Sequence, residues 1–201
     1  MSEPVRIPGT RELEGSLDSP DADARTDDTA VVACPPHPQM GGSRTDARLR
    51  AVGERLAEHG VACLRFDYGP WDEGDAEQDD ALNALSWARD RYDRVGLFGY
   101  SFGAGVTLLA AADADPQPDA VAVLAPPATL GTFETVPALE SLSAPVGVCY
   151  GERDSTVDWE PVVERARELG HDVTAMSADH FFVGQVETVA DCISGFLVDQ
   201  L

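Results

Sequence analysis

The chain has 201 residues, of which 43% are hydrophobic and 25% are charged, and this composition excludes a disordered or fibrous protein. Its 14 basic residues, all arginine, are outnumbered by 36 acidic ones, so the formal net charge is −22. Nucleic acids and anionic membranes bind clusters of Lys and Arg. The charge therefore argues against both as partners.

Such a charge repels itself in dilute buffer, but concentrated salt screens it, with a Debye length of about 3 Å at 1 M. We therefore expect a salt-adapted, halophilic protein; the alternative is an ordinary acidic protein. No signal peptide or membrane-length apolar run is found, so we expect a cytoplasmic location. The four cysteines are scattered singly, and we expect free thiols, no metal and no cofactor.

We expect one domain spanning residues 1–201. Residues 1–28 hold two candidate strands, Val5 to Ile7 and Glu12 to Leu17, and an acidic loop that begins at Asp18. Six strands then alternate with five helices. The predicted strands are Thr29 to Cys34, Ala62 to Asp67, Val95 to Phe98, Ala120 to Leu124, Val146 to Tyr150 and Asp172 to Met176. The predicted helices are Asp46 to Glu58, Ala76 to Arg89, Phe102 to Ala112, Glu160 to Leu169 and Glu187 to Val198.

This alternation predicts an α/β fold of three layers, with a mostly parallel, doubly wound sheet and helices on both faces. Several of the strands are apolar without strict alternation, as expected for strands that are covered on both sides. In such sheets, ligands bind at the edge formed by the carboxyl ends of the strands. We therefore expect the functional residues to lie in the loops that follow strands.

The sharpest motif is Gly99-Tyr100-Ser101-Phe102-Gly103, which follows an apolar strand and opens a helix. It has the form of a nucleophile elbow, in which a strained serine turns its hydroxyl above the sheet. The alternative is a plain tight turn between a strand and a helix. The position of the motif within an alternating α/β chain favours the elbow, with Ser101 as nucleophile.

A serine needs a base to take its proton, and the chain offers four histidines. His59 stands at a helix end, where it would cap the helix. His171 begins a strand at the opposite edge of the sheet, and His37 lies in a proline-rich loop. His180 follows the last predicted strand at the same edge as Ser101, so we predict that it is the base; a purely structural histidine there is the alternative.

The histidine in turn needs a carboxylate, and in this fold the chain order is Ser, acid, His. Asp154 follows the strand that ends at Tyr150 and is the predicted acid. Glu152 and Asp158 are its rivals. Asp179 is disfavoured because a sequence neighbour of the histidine cannot easily reach the edge of its ring.

An oxyanion formed at the nucleophile needs two backbone N–H donors. Phe102 supplies the first. The loop from Cys34 to Ser43, with three prolines and two glycines, is predicted to supply the second. Within it, Gln39 is the first choice and Met40 the next.

Together these segments resemble the small α/β-hydrolases of the dienelactone hydrolase-like group that lack a cap. The resemblance covers residues 29–200 and rests on these segments: 37–42 (HPQMGG), 64–68 (LRFDY), Glu73-Gly74, 79–82 (DDAL), the elbow, Gly151 with Asp154 and Val157, and 179–182 (DHFF). It implies the same fold and the same Ser-Asp-His triad. Pro35 and the segment 69–72 depart from the group's pattern. Ser101 replaces the cysteine of dienelactone hydrolase proper and points to esters rather than that lactone.

The expected function is hydrolysis of a carboxylic ester or thioester of small size through an acyl-enzyme. Peptidase or acyltransferase activity on the same triad is an alternative, as is a non-catalytic binding module of the same fold. The site should be open, because only about 20 residues separate the strands that end at Leu124 and Tyr150. The candidate pocket residues are Met40, Trp71, Phe102, Phe133, Phe181 and Phe182.

Overall fold

The computed structural model describes residues 2–20 and 28–201 of the chain. Part of the predicted acidic loop, from residue 21 onward, lies outside them. The strands are β1 (Ser2–Ile7), β2 (Leu13–Asp18), β3 (Thr29–Cys34), β4 (Ala62–Phe66), β5 (Arg94–Tyr100), β6 (Val121–Leu124), β7 (Thr129–Leu130), β8 (Phe133–Glu134), β9 (Val146–Gly151) and β10 (Asp172–Met176). The helices are α1 (Ala47–Glu58), α2 (Asp75–Arg89), α3 (Phe102–Asp113), α4 (Thr135–Glu140), α5 (Glu160–Leu169) and α6 (Val186–Gln200).

Eight of the strands form one sheet in the order β1-β2-β4-β3-β5-β6-β9-β10. The six strands from β4 to β10 in this order pair in parallel, whereas β1 and β2 pair antiparallel. Two buried clusters flank the sheet: α1 and α6 pack on one face, and α2 to α5 pack on the other. The predicted fold, a mostly parallel sheet covered on both faces, is confirmed.

The central strands are buried along their whole length. Every residue of β3, β4, β6 and β9 is buried, because helices cover both faces. Strands of this kind carry continuous apolar runs, such as Ala30 to Ala33 in β3. All six parallel strands point the same way, so the loops after β3, β5, β9 and β10 meet at one edge of the sheet.

The segment between β6 and β9 differs from the prediction, which gave it no secondary structure. It forms a two-stranded hairpin of β7 and β8, followed by the six-residue helix α4. Strands of two residues are too short for a sequence period to reveal them. Thr135 anchors the segment, because its hydroxyl donates to the Pro127 carbonyl at 2.6 Å and its N–H donates to Ala128 at 3.0 Å.

All four cysteines are free, as predicted: Cys34, Cys63 and Cys149 are buried and Cys192 is half-buried. Burial raises the pKa of Cys34 to about 12, so its thiol stays protonated at neutral pH. Among residues 2–20 and 28–201, no group of three or more His, Cys, Asp or Glu side chains could hold a metal ion. In the same residues, no helix is long and apolar enough to cross a membrane.

A buried ion pair joins the antiparallel end of the sheet to its parallel part. Arg65 of β4 donates to both carboxylate oxygens of Asp18 in β2, at 2.6 and 2.9 Å. The two side chains are only 6% and 7% exposed. A buried charge that loses its partner is costly, because water cannot solvate it.

We predict that Asp18→Ala lowers the free energy of unfolding by about 3 kcal/mol, because it leaves the Arg65 guanidinium buried and unpaired. Chemical denaturation monitored by circular dichroism measures this. Glu12→Ala is the matched control, since it removes the exposed pair of Glu12 with Arg6 at the same end of the sheet. It should cost less than about 1 kcal/mol. Equal costs for the two variants would contradict the prediction.

Candidate active site

Three loops at the carboxyl edge of the sheet carry the predicted functional side chains. Ser101 directly follows β5, Asp154 lies in the turn after β9, and His180 lies in the turn after β10. The structure brings the three side chains together, although 79 residues separate Ser101 from His180 in sequence.

Ser101 occupies a strained turn between β5 and α3. Its φ is 57° and its ψ is −121°, a conformation that costs a non-glycine residue on the order of 1–3 kcal/mol. The turn persists because the Ser101 N–H donates to the Leu124 carbonyl at 2.9 Å and its own carbonyl accepts from Ala104 at 2.8 Å. The backbone thus holds the hydroxyl above the end of β5, as the elbow motif predicts.

The imidazole of His180 bridges the other two side chains. Its Nε2 lies 2.9 Å from Oγ of Ser101, and its Nδ1 lies 2.7 Å from Oδ2 of Asp154. The His180 and Asp154 side chains are 6% and 0% exposed, so little water competes for these contacts. With a proton on Nδ1 donated to the carboxylate, Nε2 carries the lone pair that can accept from the hydroxyl.

The Asp154 carboxylate is fixed by its own turn. Its Oδ1 accepts from the N–H groups of Thr156 at 2.8 Å and Val157 at 3.3 Å, which leaves Oδ2 for His180. The rivals Glu152 and Asp158 are exposed and make no contact with the imidazole. Their side chains do not join the site.

The remaining acid and histidines have other surroundings. Asp179 accepts from Phe181 N–H within its own turn at 3.0 Å. His59 caps α1, as predicted, and His171 precedes β10 at the far edge. His37 lies beside the site, where its ring packs against that of Trp71 at a tilt of 31°, with centroids 4.5 Å apart. Burial lowers the pKa of His37, so its ring is neutral at pH 7.

The loop after β3 holds Gln39 and Met40, the two residues predicted to supply the second oxyanion donor. Gln39 is exposed and is not among the residues that line the cavity at Ser101. The N–H of Met40 donates to the His37 carbonyl at 3.0 Å and is therefore occupied. His37 itself lines the cavity and its ring lies 4.9 Å from that of Phe102. Among the described residues, the backbone N–H groups of His37, Gln39 and Phe102 have no hydrogen-bond partner, and of these residues His37 and Phe102 line the cavity.

Gly103 allows this loop to lie against α3. A Cβ at Gly103 would come within 2.3 Å of the Cys34 carbonyl oxygen and 2.4 Å of that of Pro35. Only a residue without a side chain permits this approach. The contact keeps the His37 loop next to the residue that follows Ser101.

A cavity of about 760 Å³ opens at Ser101. The predicted pocket residues Met40, Trp71, Phe102 and Phe181 line it, whereas Phe133 and Phe182 do not. Met40 is 85% exposed and Phe181 is 56% exposed, so both form the rim of the cavity. Phe182 is fully buried in the cluster beneath α6.

Two buried carboxylates shape the cavity wall that carries Trp71. Glu77 accepts from the N–H groups of Asp72 at 3.0 Å and Gly74 at 2.8 Å, and Asp80 accepts from that of Gly69 at 2.9 Å. Burial raises the pKa of Asp80, although the hydrogen bond from Gly69 and an ion pair with Arg11 oppose the shift. The carboxylates of Glu77 and Asp80 therefore hold the backbone of this wall in place, even though its sequence departs from the pattern of the group that the chain resembles.

The fold and the site define an α/β-hydrolase without a lid. A lidless α/β serine hydrolase from Xanthomonas campestris is 26% identical with a TM-score of 0.83, and the match covers 100% of this chain and 95% of that one. An α/β serine hydrolase homologue from Coxiella burnetii is 25% identical, with a TM-score of 0.83 and 97% coverage of both chains. Dienelactone hydrolase from Anabaena variabilis is 23% identical, with a TM-score of 0.79 over 100% of this chain and 98% of that one.

The model of the dienelactone hydrolase family matches residues 45–185, and the chain belongs to this family. A comparison of the sequence with curated proteins finds no significant match. Membership of the family makes the chain a hydrolase.

We predict that Gly103→Ala lowers the free energy of unfolding by about 2 kcal/mol, because the new methyl group collides with two backbone oxygens and outweighs the helix preference of alanine. Gly195→Ala in α6 is the control, since its Cβ would meet nothing within 4 Å. It should raise stability by about 0.5–1 kcal/mol. Thermal and denaturant unfolding measure both; a stabilising Gly103→Ala would contradict the close approach.

Proposed function

We propose that this chain is a serine hydrolase that cleaves small, uncharged carboxylic esters or thioesters, with Ser101 as nucleophile, His180 as base and Asp154 as the orienting acid. The observation that carries the proposal is the bridged imidazole, 2.9 Å from Ser101 and 2.7 Å from Asp154. A hydroxyl becomes a strong nucleophile only when a neighbouring base can take its proton.

In the proposed reaction, Oγ of Ser101 attacks the carbonyl carbon while its proton passes to Nε2 of His180. The carbonyl oxygen becomes an oxyanion, which the N–H groups of Phe102 and His37 stabilise. His180 then gives the proton to the departing alcohol or thiol, and the acyl-enzyme remains. A water molecule then attacks the acyl carbon while His180 takes its proton, and His180 returns that proton to Oγ of Ser101 as the acid is released. Asp154 holds Nδ1 and stabilises the positive imidazolium.

His37 replaces Gln39 as the proposed second donor. Its amide has no other partner among the described residues, and its side chain lines the cavity. The His37 ring packs against the rings of Trp71 and Phe102, with centroids 4.5 and 4.9 Å away, and these contacts hold the loop in this position. An amide that is already oriented stabilises the oxyanion without reorganisation.

The substrate class follows from the cavity lining. The rim is apolar, with Met40, Trp71 and Phe181, and suits an aliphatic or aromatic group. Arg48 also lines the cavity, but Asp46 pairs with its guanidinium. The Est1E protein of Butyrivibrio proteoclasticus, 18% identical to this chain with a TM-score of 0.85, has been solved with ferulic acid bound.

We predict that Ser101→Ala lowers ester turnover by about 10⁴-fold or more and abolishes labelling by a fluorophosphonate, because it removes the hydroxyl that lies 2.9 Å from Nε2 of His180. Turnover of 4-nitrophenyl acetate, measured in both dilute buffer and 2 M KCl, tests this. Ser86→Ala is the control, since Ser86 is exposed on α2. A non-catalytic binding module would leave wild-type Ser101 unlabelled, and that result would overturn the proposal.

We attribute the preference for uncharged esters to the negative charge of Glu73. This residue lines the cavity and has no ion-pair partner among the described residues. A unit charge about 10 Å from an anionic substrate costs about 0.4 kcal/mol in water and about 1.7 kcal/mol at an effective dielectric constant of 20. The carboxylate therefore disfavours anionic substrates.

We predict that Glu73→Gln raises kcat/KM for a carboxylate-bearing ester, relative to its neutral analogue, by about 2- to 15-fold at low ionic strength. Competition between mono-4-nitrophenyl glutarate and 4-nitrophenyl butyrate measures the ratio, and 1 M salt should reduce the effect. Glu164→Gln on α5 makes the same change in net charge far from the cavity and should leave the ratio unchanged. An equal effect of both variants would refute the role of Glu73.

A further inference from the structure

In the turn that carries His180, the side chain of Phe182 packs into the core, whereas the side chains on either side of it are exposed. Phe181 and Val183 are 56% and 77% exposed, whereas Phe182 between them is fully buried. Phe182 has a φ of 50°, and its N–H donates to Asp179 at 3.3 Å. A short turn at the rim, with a buried residue in a left-handed conformation, needs further contacts to hold a neighbouring ring to within tenths of an ångström.

Two side chains from other elements supply those contacts. The hydroxyl of Tyr100 donates to the carbonyl oxygen of His180 at 3.0 Å, and Nη1 of Arg48 donates to that of Phe181 at 2.8 Å. Among the described residues, neither carbonyl accepts a backbone hydrogen bond. The carbonyl groups of His180 and Phe181 are therefore held by side chains of β5 and α1, in addition to the hydrogen bonds that Asp179 accepts within the turn.

The two donors also hold each other. The guanidinium of Arg48 lies over the Tyr100 ring, with Cζ 4.4 Å from its centroid. Asp46 at the start of α1 accepts from Nε of Arg48 at 2.9 Å and from its backbone N–H at 2.9 Å. Burial raises the pKa of Tyr100 to about 12, although Arg48 opposes the shift, so the hydroxyl keeps the proton that it donates.

The sequence position of Tyr100 links base and nucleophile. Tyr100 is the last residue of β5 and directly precedes Ser101, so adjacent residues carry the hydroxyl that is to be deprotonated and the hydroxyl that holds the base. The Tyr100 ring also lies 5.6 Å from the His180 ring. A shift of β5 therefore carries nucleophile and base together.

We infer that Arg48 and Tyr100 are positioning residues, which clamp the carbonyl groups of His180 and Phe181 so that the imidazole keeps its contacts with Ser101 and Asp154. This inference rests on the proposed function. Its physical reason is the steep dependence of proton transfer on geometry, since a misplacement of about 1 Å can cost about 100-fold in rate.

Tyr100→Phe tests the clamp, because it removes one hydroxyl and keeps the ring under Arg48. We expect kcat for 4-nitrophenyl acetate to fall about 10-fold and KM to change less than twofold. His180 serves both acylation and deacylation, so both steps slow together. The ratio of their rate constants, on which KM depends, therefore stays the same. The low-field proton resonance of the His180 Nδ1–H bonded to Asp154 should move upfield or broaden.

Tyr150→Phe is the matched control. The Tyr150 hydroxyl accepts from Nη2 of Arg167 at 2.8 Å, and Cζ of that arginine lies 5.6 Å from its ring, so the variant breaks a second tyrosine–arginine contact in the same protein. It should lower the melting temperature about as much as Tyr100→Phe does, with kcat and the low-field resonance unchanged.

Arg48→Gln provides a second test, and an answer if Tyr100→Phe fails to fold. It should also lower kcat several-fold at constant KM, and the double variant with Tyr100→Phe should lose less than the product of the two single losses, because both side chains hold one turn. Arg48→Lys, which keeps a cationic donor, should recover part of the rate.

Two outcomes overturn the inference: wild-type kcat in both Tyr100→Phe and Arg48→Gln, or losses of kcat that match the control. If instead the wild-type protein neither hydrolyses esters nor reacts with a fluorophosphonate, the proposed function fails. The low-field resonance then still decides whether Arg48 and Tyr100 hold His180, since it is measured without substrate.

Discussion

The imidazole of His180 hydrogen-bonds on both sides, to Ser101 at 2.9 Å and to Asp154 at 2.7 Å, and the site depends on keeping both contacts at once. Each partner comes from a different strand, so the parallel sheet sets their spacing. Because all six parallel strands end at the same edge, residues that are far apart in sequence meet there without a long loop. The strain at Ser101, with φ of 57°, is tolerated because the buried strands around it are rigid.

The positions of Ser101, Asp154 and His180 in the sequence explain why they could be predicted to lie together. A glycine-flanked serine after an apolar strand and a histidine after the last strand are local signals, and the parallel order of strands converts them into proximity. Only its place in the turn distinguished Asp154 from Glu152 and Asp158 as the predicted acid. In the structure, the N–H groups of the same turn donate to Oδ1 of Asp154 and leave Oδ2 for His180. The fold was predictable for the same reason, since long apolar strands and amphipathic helices have clear periods.

The parts that escaped prediction depend on local backbone geometry or on contacts across the fold. Gln39 was chosen as an oxyanion donor from composition, but it lies in a short 3₁₀ turn at Pro38–Met40 and does not line the cavity, whereas His37 at the start of that turn does. Arg48 contacts the turn at His180 across 133 residues of sequence, and no local sequence pattern in either segment predicts this contact. The hairpin of β7 and β8 is too short to produce a period.

The cavity is built from the sheet below and from three short segments above: the His37 loop, the Trp71 loop and the β7–β8 hairpin. Ser101, Asp154 and His180 lie in turns that directly follow strands of the sheet, whereas these segments carry most of the apolar lining. Substitutions in the segments can therefore change what fits the cavity without moving the reacting atoms. Such a division lets one scaffold diverge toward new substrates through small steps, each of which preserves turnover while selection acts on the loops alone.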